Sequence, residues 1–303
     1  MAKKKYLVLG GNGFIGRNLC NYIAELGFEI ASFDREEGSA DNPNIRFIKG
    51  DFFEDCFLEQ LVQEYDVIFH AISTINPGNS NEKYMNGYGR DLVQTIKLCS
   101  WIKDTNKCLV FLSSGGTVYG NQEVQPIDEK MLPLPINHYG NVKLCIENAL
   151  RIFHIQDTMN VRIARIANPF GPGQDYTKGV GFVDAVLKRA IGNSKVEIWG
   201  DGENIRDYIY IKDVCYYLLQ LAEYEGTEII FNVSSGRGIS QNQVIEAIRK
   251  LGIEVQVEYK STRSVDARKM ILDNSKIKRI CGDAITPFEE GIRLYYDYLL
   301  EKE

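Results

Sequence analysis

Tyr139 and Lys143 stand four residues apart in Asn137-His-Tyr-Gly-Asn-Val-Lys143, a spacing that puts both side chains on one face of a helix. A free phenol titrates near pKa ~10, too high for a base at neutral pH. A neighbouring ammonium favours the phenolate and brings such a base within reach. The pair recurs by chance in unrelated chains, so its meaning depends on what accompanies it. Here the apolar run Cys108 to Leu112 opens onto Ser113-Ser-Gly-Gly-Thr-Val-Tyr-Gly120. The hydroxyls of Ser113, Ser114 and Thr117 therefore fall at the carboxyl end of a predicted strand, where α/β sheets place their ligands.

A glycine-rich turn supplies the second half of the chemistry. Tyr6 to Leu9 read as a short buried strand, Gly10, Gly11, Gly13 and Gly16 crowd the turn, and Arg17 to Leu26 continue as an amphipathic helix. The spacing Gly11-x-Gly13-x-x-Gly16 is the dinucleotide fingerprint. Glycines let the backbone turn tightly and admit a pyrophosphate against bare N–H groups, and the helix start adds a positive dipole end. A second strand, Phe28 to Phe33, ends at Asp34. An acid there accepts from both ribose hydroxyls and repels a 2′-phosphate, so NAD is expected over NADP, although Arg35 next to it would favour the phosphorylated form. An oxidised nicotinamide would add its positive charge to that of Lys143 beside the phenol. Asp51, after a third strand at Ile45 to Ile48, suits the adenine amino group, a cap for the helix from Glu54, or both. After a fourth strand, Val67 to Phe69, the small residues of Ala71-Ile-Ser73 would let the nicotinamide ribose pass. His70 reads as a packed strand-end histidine, and the loop Asn76 to Asn81 as a substrate-facing one.

The elements that must position these groups are those of a large α/β core. The 303 residues, 44% hydrophobic and 25% charged, match an ordinary soluble enzyme of one large domain or a domain with a cap. A net charge of -6 argues against a nucleic-acid partner. Seven cysteines without a C-x-x-C pair argue for reduced thiols and a cytoplasmic protein. Three scattered histidines argue against a bound metal. The start does not read as a signal peptide, and no apolar run approaches the roughly 18 residues of a membrane span. Helices are expected from Glu82 to Ile102 and from the Tyr139 segment to Phe153.

Together these residues resemble the extended short-chain dehydrogenase/reductase family, in particular its NAD-dependent nucleotide-sugar epimerases and dehydratases. Gly10-x-x-Gly13-x-x-Gly16, Asp34, Asp51-Phe52, Ser113-Ser114, Thr117-Val-Tyr-Gly and Tyr139-x-x-x-Lys143 carry the likeness in the cofactor half. Arg165-Ile-Ala-Asn-Pro-Phe-Gly-Pro-Gly-Gln174, Gly200-Asp-Gly-Glu-Asn-Ile-Arg-Asp-Tyr-Ile-Tyr-Ile-Lys-Asp213 and Arg263-x-x-Asp266 carry it downstream. The resemblance implies a doubly wound, Rossmann-like parallel sheet of about seven strands over 1–167, with 207–234 returning to it. A smaller substrate-binding cap is implied over 168–206 and 235–303. It implies NAD contacts from Gly10, Gly13, Phe14, Ile15, Gly16, Asp34, Arg35, Asp51, Phe52, Ala71, Ile72, Ser73, Ser113, Tyr139, Lys143 and Ala167. Substrate contacts are implied from Thr117, Asn168, Arg206, Arg263, Asp266 and Met270, with Asn168, Arg206 and Arg263 on a sugar nucleotide's diphosphate. A homodimer through the 82–102 helix and the helix carrying Tyr139 is implied as well.

Three positions depart from the family pattern. Its hydroxyl-bearing catalytic position, three before the Val of Val-Tyr-Gly, is Gly115; an Asn after the Pro/Gly loop is Asp91; and a sugar-pocket position is Met270. On an extended path Thr117 would share the face of position 115, whereas a bulge at the paired glycines would swing in Ser114. Gly116-Thr117 stands where 4,6-dehydratases have an Asp-Glu pair. The expected reaction is therefore C4 epimerisation of a nucleotide hexose, expected to be UDP-linked, with Tyr139 as base and Lys143 beside it. The alternatives are a nucleotide-sugar 4-ketoreductase and, in another class, a non-catalytic NAD-binding regulatory protein.

Overall fold

The computed structural model describes residues 4–38, 42–261 and 268–301. Its first half alternates strand and helix: β1 (Tyr6–Leu9), α1 (Phe14–Glu25), β2 (Ile30–Asp34), β3 (Ile45–Lys49), α2 (Asp55–Gln63), β4 (Val67–His70), α3 (Ser80–Asn86), a π-helical turn (Gly87–Leu92), α4 (Val93–Ile102), β5 (Cys108–Ser114), α5 (Gly115–Val118), α6 (His138–Asp157) and β6 (Asn160–Ile166). The second half holds β7 (Asn168–Phe170), α7 (Phe182–Ile191), β8 (Val196–Trp199), β9 (Ile205–Tyr210), α8 (Ile211–Glu223), β10 (Ile230–Val233), β11 (Gly238–Ser240), α9 (Gln241–Arg249), β12 (Val257–Lys260), β13 (Lys269–Met270), α10 (Ser275–Cys281) and α11 (Phe288–Leu300).

The strands β1, β4 and β5 are continuous apolar runs because helices cover both faces of the sheet they build. Seven parallel strands run in the order β10-β6-β5-β4-β1-β2-β3. The direction of winding reverses between β1 and β4, and the crevice beyond their carboxyl ends is where such sheets take ligands. Two buried clusters fill the two faces, one around Leu19, Val110 and Leu218, the other around Leu7, Phe111 and Leu150. β7, β9, β11 and β13 form a second, mixed sheet, and β8 pairs with β12. α8 leaves that sheet and packs back on α1.

Two stretches differ from the sequence expectation. The 82–102 segment is not one α-helix: Lys83 is non-helical and residues 87–92 form a π turn. There the glycine Gly87 lets the chain close on Ile75 and Val142, whose side-chain atoms a Cβ would meet at 2.5 and 2.8 Å. Residues 115–118 are a helical turn rather than extended chain, with Ser114 as its extended N-terminal flank. The alternation that put Thr117 on the face of position 115 therefore does not apply.

Candidate active site

The glycine turn is built by close approach. Gly10 has φ +87°, and a Cβ on Gly16 would lie 2.1 Å from the Gly10 carbonyl oxygen. Helix α1 can start only because position 16 is bare. Its first turn has no side-chain cap, which leaves N–H donors and the positive dipole end facing the crevice. Phe14 and Ile15 line that crevice. The Asp34 carboxylate stands against the same turn, accepting from the Asn12 N–H at 3.0 Å and the Arg35 N–H at 2.8 Å. Ala71 and Ile72 close on Gly10 from the end of β4. These groups fit a dinucleotide: free N–H donors for its diphosphate, and an acid one strand away for a ribose.

Asp51 accepts from the Phe53 N–H at 3.0 Å, a turn that leads into α2, while Phe52 is buried beside His70. His70 is packed between Phe52 and Phe111, and burial pushes its pKa down to about 3, so the ring is neutral.

A cleft of about 910 Å³ runs from the carboxyl ends of β5 and β6 toward β8 and β9. Ser113, Ser114, Thr117, Tyr139, Ala167, Asn168, Arg206 and Met270 all line it. Helix α6 brings Tyr139 and Lys143 there. Asn137 caps its start, accepting from the Gly140 N–H at 2.8 Å, and Gly140 is bare because a Cβ would meet the Thr117 carbonyl oxygen at 2.5 Å. The Lys143 ammonium donates to the Leu112 carbonyl at 2.9 Å and lies 5.7 Å from the centre of the Tyr139 ring. Burial pushes the Lys143 pKa down to about 8. Burial, followed by the Asp91 charge, pushes the Tyr139 phenol up to about 12, against a lowering hydrogen bond from Ser114. Desolvation and Asp91 thus oppose the phenolate that the Lys143 ammonium, together with an oxidised nicotinamide, is expected to favour.

The hydroxyl missing at Gly115 has a steric cause. A Cβ there would point at Leu272, 2.4 Å from its Cδ1, and at the Arg165 carbonyl oxygen at 3.0 Å. Ser114 acts on the Tyr139 phenol in the lowering direction, whereas Thr117 turns its hydroxyl to the Ser114 carbonyl at 3.5 Å. Ser113 donates instead to Glu147. Asn168 donates to the Asp207 carbonyl at 3.0 Å, and Met270 is buried next to Arg206 across the β13–β9 ladder. Arg263 and Asp266 lie outside the described residues. Reading the sequence alone missed Glu147, whose carboxylate forms a buried ion pair with Arg165 at 2.6 Å. Its spacing, four residues beyond Lys143 on the same helical face, was the available signal.

The comparisons with known proteins agree with this geometry. The profile of the NAD dependent epimerase/dehydratase family matches residues 6–234. A putative UDP-glucose 4-epimerase of Methanocaldococcus jannaschii is 26% identical over 97% of both chains. The dTDP-4-dehydro-6-deoxyglucose reductase of Escherichia coli is 30% identical, over 93% of this chain and 92% of its own. The crystal structure of a Thermotoga maritima UDP-glucose 4-epimerase with UDP-glucose superposes with a TM-score of 0.91 at 29% identity, covering 98% of this chain and 99% of that one.

Proposed function

The chain belongs to the NAD-dependent epimerase/dehydratase family, and within it we propose that it is a nucleotide-sugar 4-epimerase acting on a UDP-linked hexose. One observation carries the choice of reaction. Among the described residues lining the cleft the sole carboxylate is Glu197 on β8, so the Tyr139 end holds no second acid to expel water from the sugar. Oxidation followed by re-reduction is what the groups at that end suit. The 4-epimerases of Methanocaldococcus jannaschii and Thermotoga maritima support the same reading.

In this scheme Tyr139 takes the proton of the sugar's O4 hydroxyl, with the Ser114 hydroxyl beside it. NAD held by the glycine turn and Asp34 would supply reversible hydride chemistry at C4. Lys143 holds the cofactor-side wall and keeps a positive charge near the phenol. Asn168, Arg206 and, by resemblance, Arg263 hold the diphosphate, with Asp266 on the nucleotide's ribose by the same resemblance, while the keto sugar turns over and Tyr139 returns the proton. Buried Met270 shapes the sugar end. The cofactor-binding part is 1–167 with 207–234, and the cap is 168–206 with 235–303. NMR of the purified protein with UDP-glucose, UDP-galactose and their N-acetyl forms, with no added cofactor, tests the reading. Interconversion of C4 epimers supports it. Turnover of only a keto sugar with added reduced cofactor selects the 4-ketoreductase instead, the reaction class of the Escherichia coli relative.

Ser114 and Thr117 give a separate expectation. Ser114→Ala is expected to lower kcat by more than tenfold with cofactor retained, and Thr117→Ala to have a smaller effect, because Ser114 lowers the phenol's pKa whereas the Thr117 hydroxyl is turned to the Ser114 carbonyl. The reverse order would place the relay on Thr117. For the cofactor, denatured protein is expected to release NAD, and Asp34→Ala to weaken NAD binding by roughly 10–100-fold, the worth of hydrogen bonds to a charged group. Recovery of NADP would make Arg35 the deciding residue.

We also propose a homodimer. Met85, Val93 and Ile96 on the 84–102 segment and Ile152 and Ile155 on α6 are exposed, and α4 packs on α6. Pairing with a second copy would bury these apolar side chains in a four-helix bundle. Ile96→Glu together with Ile152→Glu is expected to convert a dimer to a monomer in sedimentation equilibrium; an unchanged mass would move the interface elsewhere. Among the described residues no helix is long and apolar enough to cross a membrane. The seven cysteines are unpaired, which supports a reducing, cytoplasmic location.

A further inference from the structure

The loop after β4, residues 76–79, is a rigid finger at the side of the cleft. Ile75 and Ser80 are buried at its two ends, and its two asparagines lock it. Asn76 Oδ1 accepts from the Gly78 N–H at 2.9 Å and from the Asn79 N–H at 3.0 Å. Asn79 Oδ1 in turn accepts from the Asn76 N–H at 2.8 Å. Asn76 thus forms an Asx turn, in which a side chain takes the part of a backbone acceptor. Its acceptor oxygen is spent within the finger, and its amide donor is left to reach outward.

That donor reaches the stretch before α7. Asn76 Nδ2 donates to the Lys178 carbonyl at 3.3 Å. Gly78 lies against Gly179, whose carbonyl oxygen a Cβ on Gly78 would meet at 3.4 Å. Among the described residues the Asn76–Lys178 bond is the single hydrogen bond between the two loops. Asn76, Pro77, Gly179 and Val180 line the same cleft as Ser114 and Tyr139, so the contact bridges it. The stretch before α7 is fastened at its base, where the Tyr176 N–H donates to the buried Asp184 carboxylate at 2.7 Å. Beyond that point it is loose: residues 177–180 are exposed, and Gly179 and Gly181 hold φ at +80° and +100°. A Cβ on Gly179 would find nothing within 4 Å. A loop held by one exposed hydrogen bond opens locally at little cost, whereas the finger it meets is tied down.

We propose that Asn76 fastens a strap over the cleft: the 177–181 loop shuts on the finger through the Asn76–Lys178 bond, and opens to let small molecules reach and leave the nicotinamide end. The finger itself marks that end, because it follows Ala71–Ser73 along the chain, where the nicotinamide ribose is expected to pass. A reaction that leaves a freed keto sugar in the cleft between two hydride transfers needs such a closure, which keeps solutes from the reduced ring and the intermediate from escaping. The inference needs NAD in the cleft and no particular sugar. Asn76 touches no reacting atom. It is a positioning residue that acts through the strap.

The test uses the purified holoenzyme without substrate. Sodium cyanoborohydride delivers hydride to the bound oxidised ring, and the rate, read from the absorbance of the reduced ring, reports how readily a small solute reaches it. Asn76→Asp keeps the acceptor that locks the finger and turns the outward donor into an oxygen that repels the Lys178 carbonyl. It is expected to speed reduction about three- to tenfold, the weight of one exposed hydrogen bond in an open–closed equilibrium, with bound NAD unchanged after denaturation. The new negative charge repels an anionic reductant, so charge alone would slow the reaction. Amide hydrogen exchange is expected to rise over 176–181 and to stay as it was over 76–79. Asn76→Ser keeps a short acceptor for the finger, does not reach Lys178 and adds no charge, and is expected to behave alike. An unchanged reduction rate in both variants, unchanged exchange over 176–181, or loss of bound NAD would overturn the proposal. Failure of both variants to fold would overturn it too, by making Asn76 a residue of the fold. A protein inert towards every UDP-hexose would still show the faster reduction, so the result stands apart from the epimerase reading.

Discussion

Tyr139→Phe is expected to keep its fold and its bound NAD and to lose about 10²-fold or more in kcat, the lower range for general acid–base catalysis. The change removes one oxygen from the wall of the cleft. That oxygen is the one whose pKa burial raises to about 12, with Ser114 acting in the lowering direction. A phenol that high is a poor base by itself. The reaction therefore depends on what occupies the cleft: the positive charge of the oxidised ring and of Lys143 must together bring Tyr139 down when substrate is bound. Near-normal turnover in the Phe variant would remove Tyr139 from the chemistry. The bound NAD, measured after denaturation, separates that outcome from simple loss of the cofactor.

The largest effect on stability is expected at Glu147. Its carboxylate and the Arg165 guanidinium are 2% and 3% exposed, 2.6 Å apart, and they join α6 to β6, with Ser113 drawing in the end of β5. Removing one partner leaves the other charge buried and unpaired. Glu147→Ala should cost about 3–5 kcal/mol of unfolding free energy, seen as a lower urea midpoint. Glu147→Leu combined with Arg165→Met removes both charges and should recover most of that loss. A loss below about 1 kcal/mol in the single variant would mean that water reaches the pair and that it does not hold the catalytic helix. Because the same pair compensates Glu147 beneath Lys143, the single variant should also change activity, whereas the double variant should restore both readouts together.

The parallel sheet was legible because its strands are short apolar runs, each closed by a residue that marks a turn. Gly10 after β1, Asp34 at the end of β2 and the Ser113-Ser114 pair at the end of β5 fall where the sequence put them. That Tyr139 and Lys143 share one helical face could be read from spacing alone, since helical geometry follows from residue separation, whereas their role needed the glycine turn and the hydroxyls after β5. What could not be read is long-range or conformational. Glycines at 115 and 116 permit several backbone paths, and the helical turn is set by Leu272 and by Arg165 in β6, partners distant in sequence. The π turn at 87–92 depends on Gly87 closing against Ile75 and Val142. The pKa values of Tyr139 and Lys143 depend on burial and on Asp91, and neither is visible in a four-residue spacing.

The most direct test of the central claim follows the hydrogen on C4. The UDP-hexose that turns over is prepared with deuterium at C4, incubated in ordinary water with the purified enzyme, and both epimers are analysed by NMR and mass spectrometry. Oxidation and re-reduction on a tightly held cofactor predicts that each epimer keeps its full deuterium at C4, with none in solvent or in released cofactor. Deuterium found at C6 would mark a dehydratase, deuterium on free reduced cofactor an ordinary dehydrogenase or reductase, and loss to water a proton-transfer route. Any of these three would contradict the account.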